Sequence, residues 1–480
     1  MKSTHLVKVL SALDAKELKK FNDWVSSPFF NKNKRVNILC EFVLKYTPEH
    51  DDKGFTKEKT YRLLFQNQPY NSTQLNNVIS DLLQLLFQYL AYQNFQRTSE
   101  FEKICLMNEL LAKGLDDSML KVSKRYEKEK AKTSIRNSSH FFDNYLFYKQ
   151  IDEYQLAQPT RDFNENLQLK NDELDLFYVA TKLKIASDMA SRNLVIQGNY
   201  DCHFLEEVLE RIEKNIEFYQ NYPAITVYYN VIQTMASKDE SYYFQLKDLL
   251  ANNLSIFPKE ELRVLYDYAR NYCIRKINQG NSAYYKEILS LYQFLLDKQI
   301  IFKNGHLTQW DYKNIVTVGM RLKEYDWTEQ FIHKYKIQLP PNEQENAYVY
   351  NMAVYYYERK AYEKSLLMLH EVRFTDASYH IGAKIIQIKS YYELDESEAL
   401  YSLIETFRIY IIRNKKLSDY RKKANLNFLK IVKKTFKLRE GAFILNKKTL
   451  GERKELLQSE IKNLTPLINK TWLNQVLSNI

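Results

Sequence analysis

Apolar residues recur at helical spacing along most of the chain, with polar residues between them. The clearest stretch covers residues 72–95, where the apolar positions are Leu75, Val78, Ile79, Leu82, Leu83, Leu86 and Leu90. Residues 204–219 follow the same pattern. Because residues three or four apart lie on one face of a helix, both stretches predict amphipathic helices that bury one face.

Sequence signals also mark the ends of the first helices. Asp14 is followed three residues later by Glu17, a spacing that predicts a capping box at a helix start. Pro28 disfavours the helical conformation at Ser27, so we expect this helix to end there.

The helix predicted near residue 57, a short turn and the helix at 72–95 have the outline of a helix-turn-helix DNA-binding unit. The second of these helices would have to enter the major groove. It is strongly apolar and nearly uncharged, however, and this composition favours packing in a core.

From about residue 221 the predicted helices shorten and come in pairs that repeat. In residues 350–370 the positions that define the repeat are Asn351, Met352, Ala353, Tyr356, Tyr357, Tyr362, Ser365 and Leu369. Similar residues occur 37 positions earlier, at Asn314, Ile315, Val316, Tyr325 and Thr328, and 34 to 35 positions later, at Tyr391, Tyr392, Ala399 and Leu403. A period in this range is typical of arrays of stacked helix pairs.

These positions resemble the tetratricopeptide repeat. Ser365 stands where a small residue lets the two helices of a pair touch, and Lys323 and Lys360 stand where the repeat usually has a turn glycine. The whole chain is also similar to uncharacterised helical proteins of Bacteroidota. The resemblance implies an all-α fold: a tetratricopeptide-like α-solenoid of stacked helix pairs, preceded by an N-terminal helical domain.

Such an array leaves a groove along its first helices, in which a protein or peptide ligand binds. The resemblance therefore places the groove candidates at Lys313, Thr317, Met320, Arg321, Tyr350, Val354, Tyr357 and Glu358. Some arrays of this family hold a C-terminal carboxylate with Lys and Asn at fixed positions. Lys313 and Asn351 match that pattern but Thr317 and Ile385 do not, so we do not expect this clamp.

Composition supports the helical interpretation. The 480 residues include only 9 Gly and 9 Pro, the residues that tight turns between strands need. Tyrosine is abundant, with 38 residues. We interpret most of them as packing residues between helices, with Tyr356, Tyr362 and Tyr391 as the best examples.

The net charge of +11 is concentrated near the C-terminus. Residues 408–439 carry twelve Lys or Arg against the single acid Asp419, so the rest of the chain is balanced. Helical spacing of Leu417, Tyr420, Ala424, Phe428, Ile431, Val432 and Phe436 predicts that this segment is folded, with its charges on the other face. The face is either simply solvated or binds an acidic protein, anionic lipid or a nucleic-acid backbone. The polyanion-binding candidates are Lys415, Lys416, Arg421, Lys422, Lys423, Lys433, Lys434 and Lys437.

Motifs that carry chemistry are missing from the sequence. No two glycines are nearer than ten residues, which excludes both G-x-G-x-x-G and the P-loop. Neither G-x-S-x-G nor H-E-x-x-H occurs. The four cysteines are far apart in the sequence and predict buried free thiols in a reducing compartment, not a zinc site. We therefore expect no cofactor, no metal and no enzymatic activity, with a dispersed catalytic site as the least favoured alternative.

Together these patterns predict a non-catalytic protein-interaction scaffold or regulator. The N-terminus lacks the apolar run of a secretory signal and no stretch is long enough for a transmembrane helix, so we expect a cytoplasmic protein. The alternative is a nucleic-acid-binding protein that uses residues 408–439. The expected parts are an N-terminal helical domain (1–97), a helical connector (98–220), a tetratricopeptide-like superhelix (221–410) and a basic C-terminal helical cap (411–480).

Overall fold

The computed structural model describes residues 1, 3–47, 55–66, 68–97, 99–159, 163–196, 199–370, 377–415 and 417–480. Throughout these residues the regular structure is helical and includes no β-strand, which confirms the prediction of an all-α protein. The α-helices are α1 (His5–Leu10), α2 (Ala15–Ser26), α3 (Lys34–Leu44), α4 (Lys57–Leu64), α5 (Ser72–Arg97), α6 (Ser99–Ala112), α7 (Asp116–Lys130), α8 (Ser138–Leu156), α9 (Glu165–Ile196), α10 (Leu205–Lys214), α11 (Ile216–Tyr219), α12 (Pro223–Ala236), α13 (Ser241–Asn252), α14 (Lys259–Asn278), α15 (Tyr284–Asp297), α16 (Gln309–Arg321), α17 (Tyr325–Tyr335), α18 (Gln344–Glu358), α19 (Tyr362–His370), α20 (Ala377–Glu393), α21 (Ser397–Arg413), α22 (Asp419–Gly441), α23 (Lys447–Asn463) and α24 (Lys470–Ser478).

Two compact units make up the chain. The first comprises residues 1–186 and 202–226, and the second comprises residues 187–201 and 227–480. In the first unit α1, α2, α3 and α4 all pack against α5. The α5 residues Leu75, Leu82 and Leu86 are fully buried there. The apolar face predicted at 72–95 therefore packs in a core.

The first helix boundaries follow the predicted signals. The Asp14 carboxylate accepts a hydrogen bond from the Glu17 backbone N–H (2.8 Å), and the Glu17 carboxylate accepts one from the Asp14 N–H (3.1 Å). These two bonds form the predicted capping box of α2. At its other end α2 stops at Ser26, and Ser27 is extended, as Pro28 requires.

In the second unit each helix from α13 to α24 packs against the next one along the chain. In addition, α16 packs against α18 and α18 packs against α20. The helices α16, α18 and α20, which begin successive pairs, therefore lie side by side. The second helices, α17 and α19, each contact the helix before them and the helix after them.

The turns inside these pairs share one backbone conformation. Gly280, Lys323, Lys360 and Asp395 all have positive φ, at 96°, 61°, 60° and 63°. After Lys360, for example, the Lys360 N–H donates to the Tyr357 carbonyl and the Ala361 N–H donates to the Tyr356 carbonyl, both at 2.9 Å. This pair of bonds is the Schellman motif, which ends a helix with a left-handed residue. The two lysines that stand in place of glycine thus adopt the conformation that glycine favours.

The position five residues after the turns at Lys323, Lys360 and Asp395 is a helix contact. Thr328 and Ser365 have no exposed surface, and the Ser365 hydroxyl donates to the Ala353 carbonyl across the pair (2.8 Å). In the next pair the equivalent residue is Leu400, which is also fully buried, whereas Ala399 is half-buried. The sequence alignment of this third pair was therefore wrong by one residue, because it matched the small alanine and not the distance from the turn.

The three tyrosines named as packing residues lie beside more deeply buried rings, and Tyr391 packs against the C-terminal core. Tyr356, Tyr362 and Tyr391 are only half-buried. The buried rings next to them are Tyr355, Tyr357 and Tyr392, with 4%, 8% and 2% of their surface exposed. Adjacent positions on a helix point in very different directions, so runs of tyrosines in sequence do not indicate which ring enters the core.

The C-terminal helices form a core with α20 and α21. Ala424, Phe428, Ile431, Val432 and Phe436 of α22 are buried as predicted, and so is Leu417 just before the helix. Tyr420 is the exception: 69% of its surface is exposed. It lies in the first turn of α22, and the buried stripe of the helix begins one turn later.

None of the helices in the described ranges combines the length and the apolar character needed to cross a lipid bilayer.

The left-handed turns lead to a first prediction. Replacing Lys360 with Gly should raise the free energy of unfolding, because a non-glycine residue in this conformation carries a penalty of about 1–2 kcal/mol. The greater freedom of glycine in the unfolded chain offsets part of the gain, leaving about 0.5–1 kcal/mol, measurable by urea unfolding. The matched control is Lys364→Gly, inside α19, in which the free energy of unfolding should fall by about 1 kcal/mol. Equal losses in both variants would contradict the turn conformation.

Candidate functional site: the α16, α18 and α20 face

The eight predicted groove residues lie on two helices that pack side by side, Lys313, Thr317, Met320 and Arg321 on α16, and Tyr350, Val354, Tyr357 and Glu358 on α18. Thr317, Arg321 and Glu358 are exposed, and Lys313 and Val354 are half-buried. Met320, Tyr350 and Tyr357 are buried, with 5%, 5% and 8% of their surface exposed. The first five side chains are therefore accessible to a partner, and the last three pack beneath them.

The turn residues extend this row onto α20. Because Lys360 and Asp395 are equivalent, positions on α20 follow from α18 by adding 35. Lys389 is then equivalent to Thr317 and Val354, and Glu393 to Arg321 and Glu358. Sequence analysis missed both residues, although the same offset would have found them. We call Lys313, Arg321, Glu358, Lys389 and Glu393 the charged row.

Both lysines of the charged row lie over aromatic rings. Lys313 Nζ is 4.8 Å from the centroid of the Tyr350 ring and 5.3 Å from that of Tyr379. Lys389 Nζ is 4.4 Å from the Tyr357 centroid and 5.4 Å from that of Trp472. These distances lie within the range of cation–π attraction, which holds each ammonium group in place.

Two residues outside the predicted groove shape this face. Gly382 of α20 leaves room for the Tyr350 hydroxyl, since a Cβ at this position would lie 2.6 Å from that oxygen. Trp472 of α24 packs against Tyr392 and Phe428, and its Nε1–H donates to the Glu393 carboxylate (3.0 Å). The C-terminal helix thus contributes to the face, although sequence analysis assigned it to a separate cap.

Within the charged row, Lys389 has a shifted pKa. Burial lowers the pKa of Lys389 to about 8, although the nearby carboxylates of Glu358 and Glu393 favour its charged form. The positive charge of Arg321 lowers this pKa further. Burial also raises the pKa of Tyr350 to about 12, so its phenol stays neutral. The row therefore presents both cationic and anionic groups above a layer of neutral aromatic rings.

In the basic segment, residues 408–439, ion pairs involve the lysines in the middle of α22. Lys433 pairs with Glu405 (3.0 Å), while Lys434 and Lys430 pair with Glu460 (2.6 and 3.0 Å). These contacts neutralise much of the positive charge in the middle of α22.

The remaining candidates in the basic segment lie nearer its two ends. Lys415, Arg421, Lys423 and Lys437 are exposed and Lys422 is half-buried; Lys416 lies outside the described residues. The predicted polyanion site is thus concentrated at the start of α22.

The first unit contains a buried group of titratable side chains that sequence analysis did not identify. Lys130 Nζ lies 5.7–5.9 Å from the ring centroids of Tyr126, Phe147 and Tyr148. Burial lowers the pKa of Lys130 to about 8 and raises that of Asp143 to about 6. Both shifts show that the charged forms are poorly solvated there.

In the ranges that the structure describes, no group of three or more His, Cys, Asp or Glu side chains is placed to hold a metal ion. Comparison with protein families, with curated proteins and with solved structures finds no significant match to this chain.

Lys389 provides a second prediction, which concerns pH. The folded protein releases the Lys389 proton near pH 8, whereas the unfolded chain keeps it until its ordinary pKa of 10.5. The buried charge therefore costs stability below pH 8, and this cost fades as the pH rises. Relative to Lys389→Met, the wild type should gain about 1.6 kcal/mol between pH 8 and 9.5, because the slope rises from about half of 1.36 kcal/mol per pH unit at pH 8 toward that full value.

Urea unfolding of both proteins at several pH values measures this gain. Leu367→Met, at an exposed position of α19, introduces the same side chain without removing a titratable group. Its difference from the wild type should not depend on pH. A constant difference for Lys389→Met as well would show that Lys389 is not buried as described.

Proposed function

We propose that this protein is a non-catalytic scaffold or regulator, with a tetratricopeptide-like α-solenoid that binds a segment of a partner protein along the charged row. The observation that carries the proposal is the repeated left-handed turn at Lys323, Lys360 and Asp395. Each turn reverses the direction of the chain, and the turns follow one another at similar intervals. Residues at the same distance from their turn on α16, α18 and α20 therefore share one face. The resemblance of the sequence to the tetratricopeptide repeat supports the same interpretation.

The chemistry of the row indicates what kind of segment would bind. Lys313, Arg321 and Lys389 offer three cationic groups, while Glu358 and Glu393 offer two carboxylates, one of which already accepts the Trp472 N–H. An extended peptide with acidic side chains would pair with the cations. Its apolar side chains would contact the half-buried Val354.

Absence of catalysis and a cytoplasmic location are part of the same proposal. The sequence contains no nucleotide-binding loop or nucleophile motif, and the four cysteines are free thiols, as is usual in a reducing compartment. Cys40 and Cys273 are buried, and Cys105 and Cys202 are half-buried.

A pull-down with charge-reversal variants tests the scaffold. Arg321→Glu changes an exposed residue, so the fold should survive while the affinity for an acidic segment falls at least tenfold. Lys364→Glu reverses a charge on the exposed side of α19 and is the matched control. The lysate is treated with nuclease, and the partners retained by each bait are quantified by mass spectrometry. A partner set that is identical for all three baits would contradict binding at the charged row.

A second candidate function is polyanion binding at the start of α22. The observation that favours it is the exposure of Lys415, Arg421 and Lys423. For the described residues, no ion pair to a carboxylate is found at these three positions, in contrast to Lys433 and Lys434.

Salt titration tests this second candidate. In the test variant Lys415, Arg421, Lys422 and Lys423 are changed to Gln, and it should bind a DNA duplex more weakly. The slope of log K against log salt concentration should also become smaller, by about 0.9 for each phosphate that the variant no longer neutralises. The matched control changes Lys430, Lys433 and Lys434 to Gln and should have a smaller effect, since these residues already pair with acids. Fluorescence anisotropy at several salt concentrations gives both slopes. If the wild type fails to bind at low salt, nucleic-acid binding is excluded.

A further inference from the structure

The second unit contains a cavity that neither proposed function uses. Its volume is about 360 Å³, and it is lined by residues of α9, α12 and α14, among them Val231, Tyr268, Tyr272 and Ile274. Pockets that bind small molecules begin near this size and are mostly apolar. Val231, Tyr268 and Tyr272 are buried and form its deep part, whereas Ile274 is at the rim with 37% of its surface exposed.

Within the part of the chain that the structure describes, Arg275 is the one charged residue that lines this cavity. Its Nη2 donates to the Thr234 carbonyl (2.9 Å) and its Nη1 to the Met235 carbonyl (3.4 Å), both in the last turn of α12. The guanidinium carbon lies 5.2 Å from the Tyr272 ring centroid, so the group is held from two sides. A guanidinium group has five N–H donors, and these two bonds leave donors for a ligand.

No acidic side chain competes for this guanidinium. Among the described residues, Arg275 forms no ion pair with a carboxylate, and no Asp or Glu lines the cavity. Asp188 contacts the lining residue Tyr268: its carboxylate accepts a hydrogen bond from the Tyr268 hydroxyl (2.5 Å). The cavity therefore attracts negative charge at one point and is apolar over most of its remaining wall.

Thr234 adds an unused polar group to the wall. Only 3% of its surface is exposed, and its hydroxyl has no hydrogen-bond partner among the residues described. Buried threonines elsewhere in this unit behave differently: Thr328 donates to the Glu324 carbonyl (2.6 Å) and Thr435 to the Ile431 carbonyl (2.8 Å). A buried hydroxyl without a partner is unfavourable, and it belongs to the same residue whose carbonyl holds Arg275.

We propose that this cavity binds a small amphipathic organic anion, with its carboxylate on Arg275 and its apolar chain against Val231, Ile274 and Tyr272. The Thr234 hydroxyl donates a further hydrogen bond to the bound carboxylate. Since the site lies on other residues than the charged row, it does not depend on the proposed scaffold function.

Three probes of equal chain length test the charge preference. Octanoate, 1-octanol and octylamine are titrated into the full-length protein by isothermal titration calorimetry. Octanoate should bind at least tenfold more tightly than 1-octanol, and octylamine should bind most weakly. Equal affinities for the three probes, or no binding of octanoate at millimolar concentration, would overturn the proposal.

Variants locate the site. Arg275→Gln should remove the preference for octanoate while 1-octanol still binds, which distinguishes a missing charge from a collapsed cavity. Ile274→Glu, at the exposed rim, introduces a repelling carboxylate and should weaken octanoate binding at least tenfold relative to Ile274→Gln, even if Arg275→Gln does not fold. Thr234→Val should also weaken octanoate binding, whereas the matched control Thr435→Val should not. Octanoate affinity unchanged in all these variants would place binding elsewhere and refute the assignment.

Discussion

Four helix pairs of the second unit, α14/α15, α16/α17, α18/α19 and α20/α21, depend on a left-handed residue in the turn between their helices. A chain of L-amino acids reverses sharply after a helix when one residue takes a positive φ and two backbone bonds close the Schellman motif. Here Gly280, Lys323, Lys360 and Asp395 do this at similar intervals. After Lys323, Lys360 and Asp395 the fifth residue is fully buried in the contact between the paired helices, and the first helices α16, α18 and α20 pack side by side. The charged row and its layer of aromatic rings follow from that alignment.

Tyrosine fills the space that these pairs enclose, and its hydroxyl groups connect elements that are distant in sequence. Tyr228 donates to Glu261 (2.7 Å), Tyr243 to Glu287 (2.8 Å), and Tyr379 to the Gln309 carbonyl (2.9 Å). A phenylalanine at these positions would fill the same volume but lose the hydrogen bond to the neighbouring element. The abundance of tyrosine therefore has a structural explanation in this unit: each ring contributes apolar area, and many also fix the neighbouring helix.

Local signals in the sequence predicted the features that depend on local physics. The all-α composition, the Asp14–Glu17 capping box, the helix end before Pro28 and the buried stripe of α22 from Ala424 onward all follow from residues close together in the chain. The turn positions Lys323 and Lys360 were also found, because the period of the pattern identifies them even without glycine.

Features that depend on contacts between distant segments could not be predicted in this way. Trp472 reaches Glu393 from another helix, and Glu405 and Glu460 neutralise lysines of α22 that looked free in the sequence. The cavity beside Arg275 is formed by three helices, none of which carries a recognisable motif. The single-residue error at Ala399 has a different origin, since Ala399 and Leu400 are neighbours and only the distance from the turn distinguishes them.

The buried tyrosines also limit how high the pH can rise before the folded protein becomes unstable. In an unfolded chain a phenol ionises near its ordinary pKa of 10, but burial raises the pKa of both Tyr292 and Tyr350 to about 12, and the pKa values of Tyr228, Tyr243 and Tyr312 are raised as well. Below pH 10 these groups are neutral in both states and their contribution to stability is complete. Above it, the unfolded chain loses protons that the folded protein must keep, so every buried phenol favours unfolding. Alkali should therefore denature this protein through its core.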